Sequence, residues 1–140
     1  MSRITYIEEQ SRAITSLLDT TPREDILNNQ WVLSGLKYAL QTAVEAMIDI
    51  AYHLSAKVYR HPPADARDAF TELVKGGTLD SSDLPTYLAM VGFRNRVVHG
   101  YLRIDPDKKV YEIARTSRGD FTKFIKRVKQ FAASKGERET

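Results

Sequence analysis

Apolar positions recur every three or four residues along most of the chain, and no stretch alternates with the period of two that marks a half-buried strand. The pattern predicts an all-α fold, a single bundle of about five helices over residues 1–140. A first helix is expected over residues 2–18, with Ile4, Ile7, Ala13, Ile14, Leu17 and Leu18 facing the core. Thr21-Pro22-Arg23-Glu24 reads as a helix start: threonine to cap, proline for the first helical position, and glutamate to complete a capping box. A long second helix follows over residues 22–59, with Asn28-Asn29 as the place where it would break. Its second half is apolar on more than one face, from Leu36, Ala39 and Leu40 to Ala51 and Leu54. That predicts burial on two sides, one in the chain's own core and the other against a partner protomer. His61-Pro62-Pro63 ends this helix, because proline lacks a donor and disfavours helix in the residue before it. A third helix over residues 64–75 turns Phe70, Leu73 and Val74 inward and stops at Gly76-Gly77. Asp80-Ser81-Ser82-Asp83 offers caps for a fourth, which buries Leu84, Leu88, Met90 and Val91 and has Pro85 in its first turn. From Val110 to Ala132 the apolar spacing carries across Gly119. One helix over residues 106–133 is therefore favoured over two, since an interior glycine costs only about 1 kcal/mol. Residues 134–140 are polar and expected to fray.

With 42% apolar and 28% charged residues, the composition is that of a globular chain rather than a disordered one. No apolar stretch reaches the roughly 20 residues that cross a bilayer. The first nine residues carry acids where a signal peptide needs its apolar region. Both features predict a cytoplasmic protein with no membrane partner. Cysteine is absent, which excludes disulfides, thiolate metal sites and cysteine nucleophiles. The net charge of +3 permits a nucleic-acid partner without demanding one. The basic excess falls late, in Arg115, Arg118, Lys123, Lys126, Arg127, Lys129, Lys135 and Arg138. Such a run can track a phosphate backbone, although charge alone favours the plainer reading of a solvated helix face.

The densest chemistry lies in Phe93-Arg94-Asn95-Arg96-Val97-Val98-His99-Gly100-Tyr101. Arginine offers a planar fork of donors matched to phosphate oxygens, and histidine titrates near neutrality. These are the groups that hold a phosphodiester and move a proton beside it. On an ideal helix Arg94 and Tyr101 fall within about 20° of each other, and Asn95 and His99 within about 40°. Arg94 and His99 lie about 140° apart. Long arginine reach, a kink near Gly100, or a second copy of the motif across a dimer would bring them to one phosphate. Composition alone is satisfied by a structural role for such a helix end.

Arg94-Asn95-x-x-x-His99-x-Tyr101 resembles the signature of the HEPN superfamily of helical ribonucleases, and within it the HepT-type toxins encoded beside a minimal nucleotidyltransferase antitoxin. The resemblance extends, in the family's order, through Glu45–Leu54, Met90-Val91-Gly92-Phe93, Ile104-Asp105 and Val110-Tyr111-Glu112-Ile113. It implies a homodimeric, metal-independent endoribonuclease with no cofactor, whose substrate is RNA. In it Arg94, Asn95 and His99 would be catalytic, and Arg96 would help hold substrate. It also implies that the antitoxin nucleotidyltransferase attaches AMP to Tyr101. Read without the resemblance, Tyr101 is an aromatic lid on a helix end. A rival of another class is a non-catalytic helical module that presents a nucleotide to the transferase; the titrating His99 favours catalysis.

Glu45, Asp49 and His53 stand at i, i+4 and i+8 on one helix face. They make a poor metal set, and the expected role of Glu45 or Asp49 is to pair with Arg94 or Arg96 and position it. His61 reads as incidental to its turn. Trp31 and Tyr38 read as core or interface residues rather than base-stacking platforms.

Overall fold

The first helix is nucleated by Ser2, whose side chain accepts from the Thr5 N–H at 3.0 Å. The computed structural model describes residues 2–99 and 107–139, and side chains within residues 2–98 and 107–134. Among them are six α-helices: α1 (Arg3–Thr20), α2 (Arg23–Leu27), α3 (Gln30–Lys57), α4 (Ala66–Lys75), α5 (Leu84–His99) and α6 (Asp107–Glu139). A 3₁₀ turn at Ser81–Asp83 leads into α5, and none of the described residues forms a strand. Thr21 closes α1 with its own N–H on the Leu17 carbonyl, and it lies one position before Pro22, which takes the cap position of the next helix. The expected capping box is not formed, and α2 starts after Pro22 with no side-chain cap. The helix begins one residue later than the capping box requires, and the proline at the cap position has no side-chain acceptor to offer.

The expected break at Asn28-Asn29 is real and turns one long helix into two. The Asn28 N–H closes α2, and the Asn29 carboxamide oxygen accepts from the N–H groups of Trp31 and Val32 at 3.0 and 3.2 Å. The helix that follows, α3, is the hub, packing against α1, α4 and α5. Ala46, Met47 and Ile48 are consecutive and all buried, which no single contact face can achieve. The two-sided burial expected there is supplied by the chain's own helices. Trp31 and Tyr38 are 89% and 64% exposed, so neither belongs to the core.

At the end of α3, Arg60 takes a left-handed φ of 54° and the Ser55 hydroxyl donates to the His61 carbonyl at 2.7 Å. The His61 ring meets Asp68 at 2.8 Å, a bond that helps hold the Asp68 carboxyl below its usual range after the Ala64 N–H. His61 is thus a fastener between α3 and α4, not an incidental turn residue. Gly77 ends α4 at a φ of 85°, and a side chain on Gly76 would collide with the Tyr59 ring.

Phe70 of α4 stacks on Tyr87 of α5 at 5.4 Å, and Phe124 of α6 meets both edge-on at 6.2 and 5.8 Å. Burial pushes the Tyr87 hydroxyl far up and keeps it neutral. Tyr87 was not among the expected core residues. In α1 the stripe is Ile7, Ser11 and Ile14, with Ala13 exposed. Gly119 does not interrupt α6, because Phe121, Phe124, Ile125 and Val128 are buried just beyond it. The same helix runs on to Glu139 through the segment expected to fray, whose sequence includes the good helix formers Lys135, Glu137 and Arg138.

Replacing Phe70 with alanine is expected to cost about 3–5 kcal/mol, read as a lowered urea midpoint. Asn29→Ala, which removes only a cap, should cost about 1 kcal/mol in the same assay.

Candidate functional site

The two arginines of the motif serve opposite faces of α5. Tyr87, Met90 and Val91 form its buried stripe, and Arg94 continues that stripe one turn later. Its side chain is half-buried, and its Nε lies out of solvent with no hydrogen-bond partner among the described residues. Arg96 follows two residues on, about 200° around the helix. There it joins Gly92 and Pro85 in one wall of a cleft of about 430 Å³. Asn95 is half-buried between these faces. His99 is the last residue of α5; its side chain, and all of Tyr101, lie outside the described residues.

The cleft lies between α4, α5 and α6. Arg67 enters it from α4, Arg96 from α5 and Lys109 from α6. Arg127 meets the Thr78 carbonyl, Lys123 meets Asp83 at 2.9 Å, and Asp120 lies close enough to Asp83 to feel its charge, so α6 runs back along α5 with Asp120 near the Pro85 end and Lys109 toward the Arg96 end. Gly92 lets two guanidinium groups approach the helix backbone. A Cβ there would meet an Arg96 nitrogen at 3.3 Å and an Arg67 nitrogen at 3.7 Å. The buried ring of Phe93 and the partly buried Ile113 give the cleft an apolar wall. Burial raises the Asp120 carboxyl above its usual range, with Lys123 lowering it and Asp83 raising it. The hollow therefore has a cationic end, an apolar middle and an acidic end, and its size lies in the range of small-ligand sites, about 300–1,000 Å³.

The other expected residues fall elsewhere. Asp49 is exposed and pairs with Arg3 of α1 at 3.2 Å, in place of the expected pairing with Arg94 or Arg96. A contact this open to water contributes little. Glu45 lines a shallow hollow beside Arg3, Tyr6 and Thr42. Among the described residues no three carboxylate or histidine groups gather to hold a metal, and Glu45, Asp49 and His53 are no exception.

The basic run of α6 is neither a bare phosphate track nor merely solvated. Arg115 pairs with Glu112, Arg118 with Asp19, Lys123 with Asp83 and Lys129 with Glu8, while Arg127 donates to the carbonyls of Gly77 and Thr78. The Arg115 pair lies within α6, while the other four cations bind α6 to α1 and to the segment between α4 and α5. Arg67 and Lys109, by contrast, were not singled out from the sequence. Each is an ordinary exposed position in its own helix, and only packing unites them.

A family model described as "Ribonuclease HepT-like" matches residues 7–128. The chain is similar to the mRNA nuclease HepT of Shewanella oneidensis, 33% identical over 90 residues that make up 64% of this chain and 67% of that protein. Its fold superposes on a tri-AMPylated HEPN toxin of the same organism, solved in complex with an MNT antitoxin. That match has a TM-score of 0.81 and 25% identity, over 91% of this chain and 94% of that one. A cytosolic protein of unknown function from Bacillus subtilis, YutE, shares the fold at a TM-score of 0.81 with 14% identity, over 95% of this chain and 87% of its own. No helix among the described residues is long and apolar enough to cross a membrane.

Because Asp120 titrates higher in the folded chain than in the unfolded one, the folded state holds its proton more tightly, and stability falls as pH rises through that raised value. Asp120→Asn is expected to raise the melting temperature at pH 7, with the gain shrinking toward pH 3. Thermal melts at the two pH values check this.

Proposed function

The chain belongs to the ribonuclease HepT-like family, and on that premise we propose that it is the toxin of a toxin–antitoxin pair. In this reading it is a metal-independent endoribonuclease working at a cleft between two protomers. A nucleotidyltransferase antitoxin silences it by attaching AMP to Tyr101. The observation that carries the reading is the sequence Arg94-Asn95-x-x-x-His99-x-Tyr101, whose Arg94 to His99 close α5, on a backbone that matches an AMPylated HEPN toxin over 91% of this chain.

The chemistry follows from the side chains. His99 takes the proton of a ribose 2′-hydroxyl, the freed oxygen attacks the adjacent phosphorus, and the bond from phosphorus to the 5′-oxygen breaks. That oxygen leaves with a proton returned by an imidazolium, giving a 2′,3′-cyclic phosphate and a 5′-hydroxyl end. Arg94 offsets the charge that builds on the phosphorane, and a guanidinium already partly withdrawn from water does so more strongly than an exposed one. Asn95 orients His99 or a phosphate oxygen, and Arg96 holds the strand. The angular separation of Arg94 and His99 on one helix favours a site completed by the second copy of the motif. AMP on Tyr101 adds negative charge and bulk beside these cations and so excludes RNA.

Total RNA treated with purified, unmodified protein in EDTA should be cut, and His99→Ala should abolish the cutting. Retained cleavage in that variant, or cleavage of a fully 2′-deoxy substrate, overturns the mechanism. With the antitoxin and ATP, the protein should gain mass in AMP units at Tyr101, and Tyr101→Phe should gain none.

A further inference from the structure

The cleft between α4, α5 and α6 lies on the face of α5 opposite Arg94, and nothing in the motif chemistry calls for a hollow of this size there. We infer that it is a nucleotide subsite, in which Arg67, Arg96 and Lys109 hold one phosphate and Phe93 and Ile113 seat the adjoining nucleoside. The inference rests on the ribonuclease reading for the source of the nucleotide, an RNA strand, and on geometry alone for its chemistry.

Three observations carry it. Three cations come from three separate helices to line one hollow. Arg118, Lys123, Arg127 and Lys129 of α6 are tied to acceptors within the chain, whereas the side chains of Arg67 and Lys109 make no ion pair among the described residues. Second, the missing side chain at Gly92 lets guanidinium nitrogens of Arg67 and Arg96 come within 4 Å of one point above the helix backbone. Two cations gathered at one point match a phosphate, whose oxygens accept from both. Third, the acid end gives the site a direction. Asp120 repels a phosphate and can accept from a base amino group, so the phosphate belongs at the end nearest the motif. From Lys109 to Asp120 the cleft wall runs eleven residues of helix, about 16 Å, room for a nucleotide laid along it. A strand held there would be gripped one face away from the reacting phosphate, which separates holding from cutting.

The test is binding of a short, fluorescein-labelled 2′-O-methyl oligoribonucleotide, which cannot be cut by 2′-hydroxyl attack, followed by anisotropy over a range of salt. AMP serves as the second probe. Arg67→Ala and Lys109→Ala should each weaken oligonucleotide binding about three- to tenfold and flatten the logarithmic salt slope by about 0.7. Gly92→Leu, which fills the hollow with a better helix former, should weaken it without changing the slope of the unfolding transition. Lys126→Ala, an exposed cation of α6 outside the cleft, should do neither. Loss in the variants confined to the oligonucleotide assigns the site to an RNA strand. Loss confined to AMP overturns that source and leaves a free-nucleotide site. Arg67→Ala and Lys109→Ala variants that bind both probes like the parent overturn the subsite. Parent protein that binds through the cleft but cuts nothing removes the ribonuclease reading and keeps the subsite; parent that cuts, with variants indistinguishable from it, does the reverse.

Discussion

Everything near the site depends on three rings. Phe70, Tyr87 and Phe124 come from α4, α5 and α6, and their stacked and edge-on contacts fill the space where those helices meet. Such rings bury large areas and hold preferred mutual orientations. Fixing them fixes the relative position of those three helices. The cleft is what remains on one side of that contact. Arg67 lies one turn before Phe70, and Gly92 a little over one turn beyond Tyr87. The charged groups therefore inherit their spacing from an apolar contact.

A division of labour follows along α5. One face of the helix is committed to the core as far as Arg94, so that arginine is drawn partly out of water. The other face carries glycine and Arg96 and opens onto the cleft. Two arginines separated by a single residue thus experience different environments. The α6 cations have a third role, since they bind carboxylates and carbonyls of the chain itself. Charge alone favoured a solvated face for the α6 cations, and their partners show them engaged within the chain instead.

What could be read from the sequence was local. The helix stops at Pro62-Pro63 and Gly76-Gly77, the break at Asn28-Asn29 and the continuity of α6 through Gly119 each follow from a few adjacent residues. The motif at the end of α5 was legible for the same reason. What escaped was what two distant segments decide together. The Thr21 cap failed because α2 starts at Arg23, which puts Pro22 rather than Thr21 at the cap position. Asp49 found Arg3, a residue 46 positions away, which no spacing rule anticipates. Arg67 and Lys109 sit 42 and 13 positions from Lys109 and Arg96 respectively, and their convergence is a property of helix packing. Tyr87 carries a hydroxyl that reads as surface, yet its ring is held in the core by two neighbours.

The Arg94 Nε, which has no acceptor among the described residues, has a thermodynamic consequence. A lysine or histidine in such a position can shed its proton and become neutral, but a guanidinium cannot. The cost of holding that donor away from water without an acceptor therefore persists at every accessible pH. An oxygen that reaches it, from an anion or from a second chain, relieves the cost, and the relief is shared between affinity and folding free energy. The end of α5 is in this sense a place where an added acceptor and the stability of the bundle are coupled.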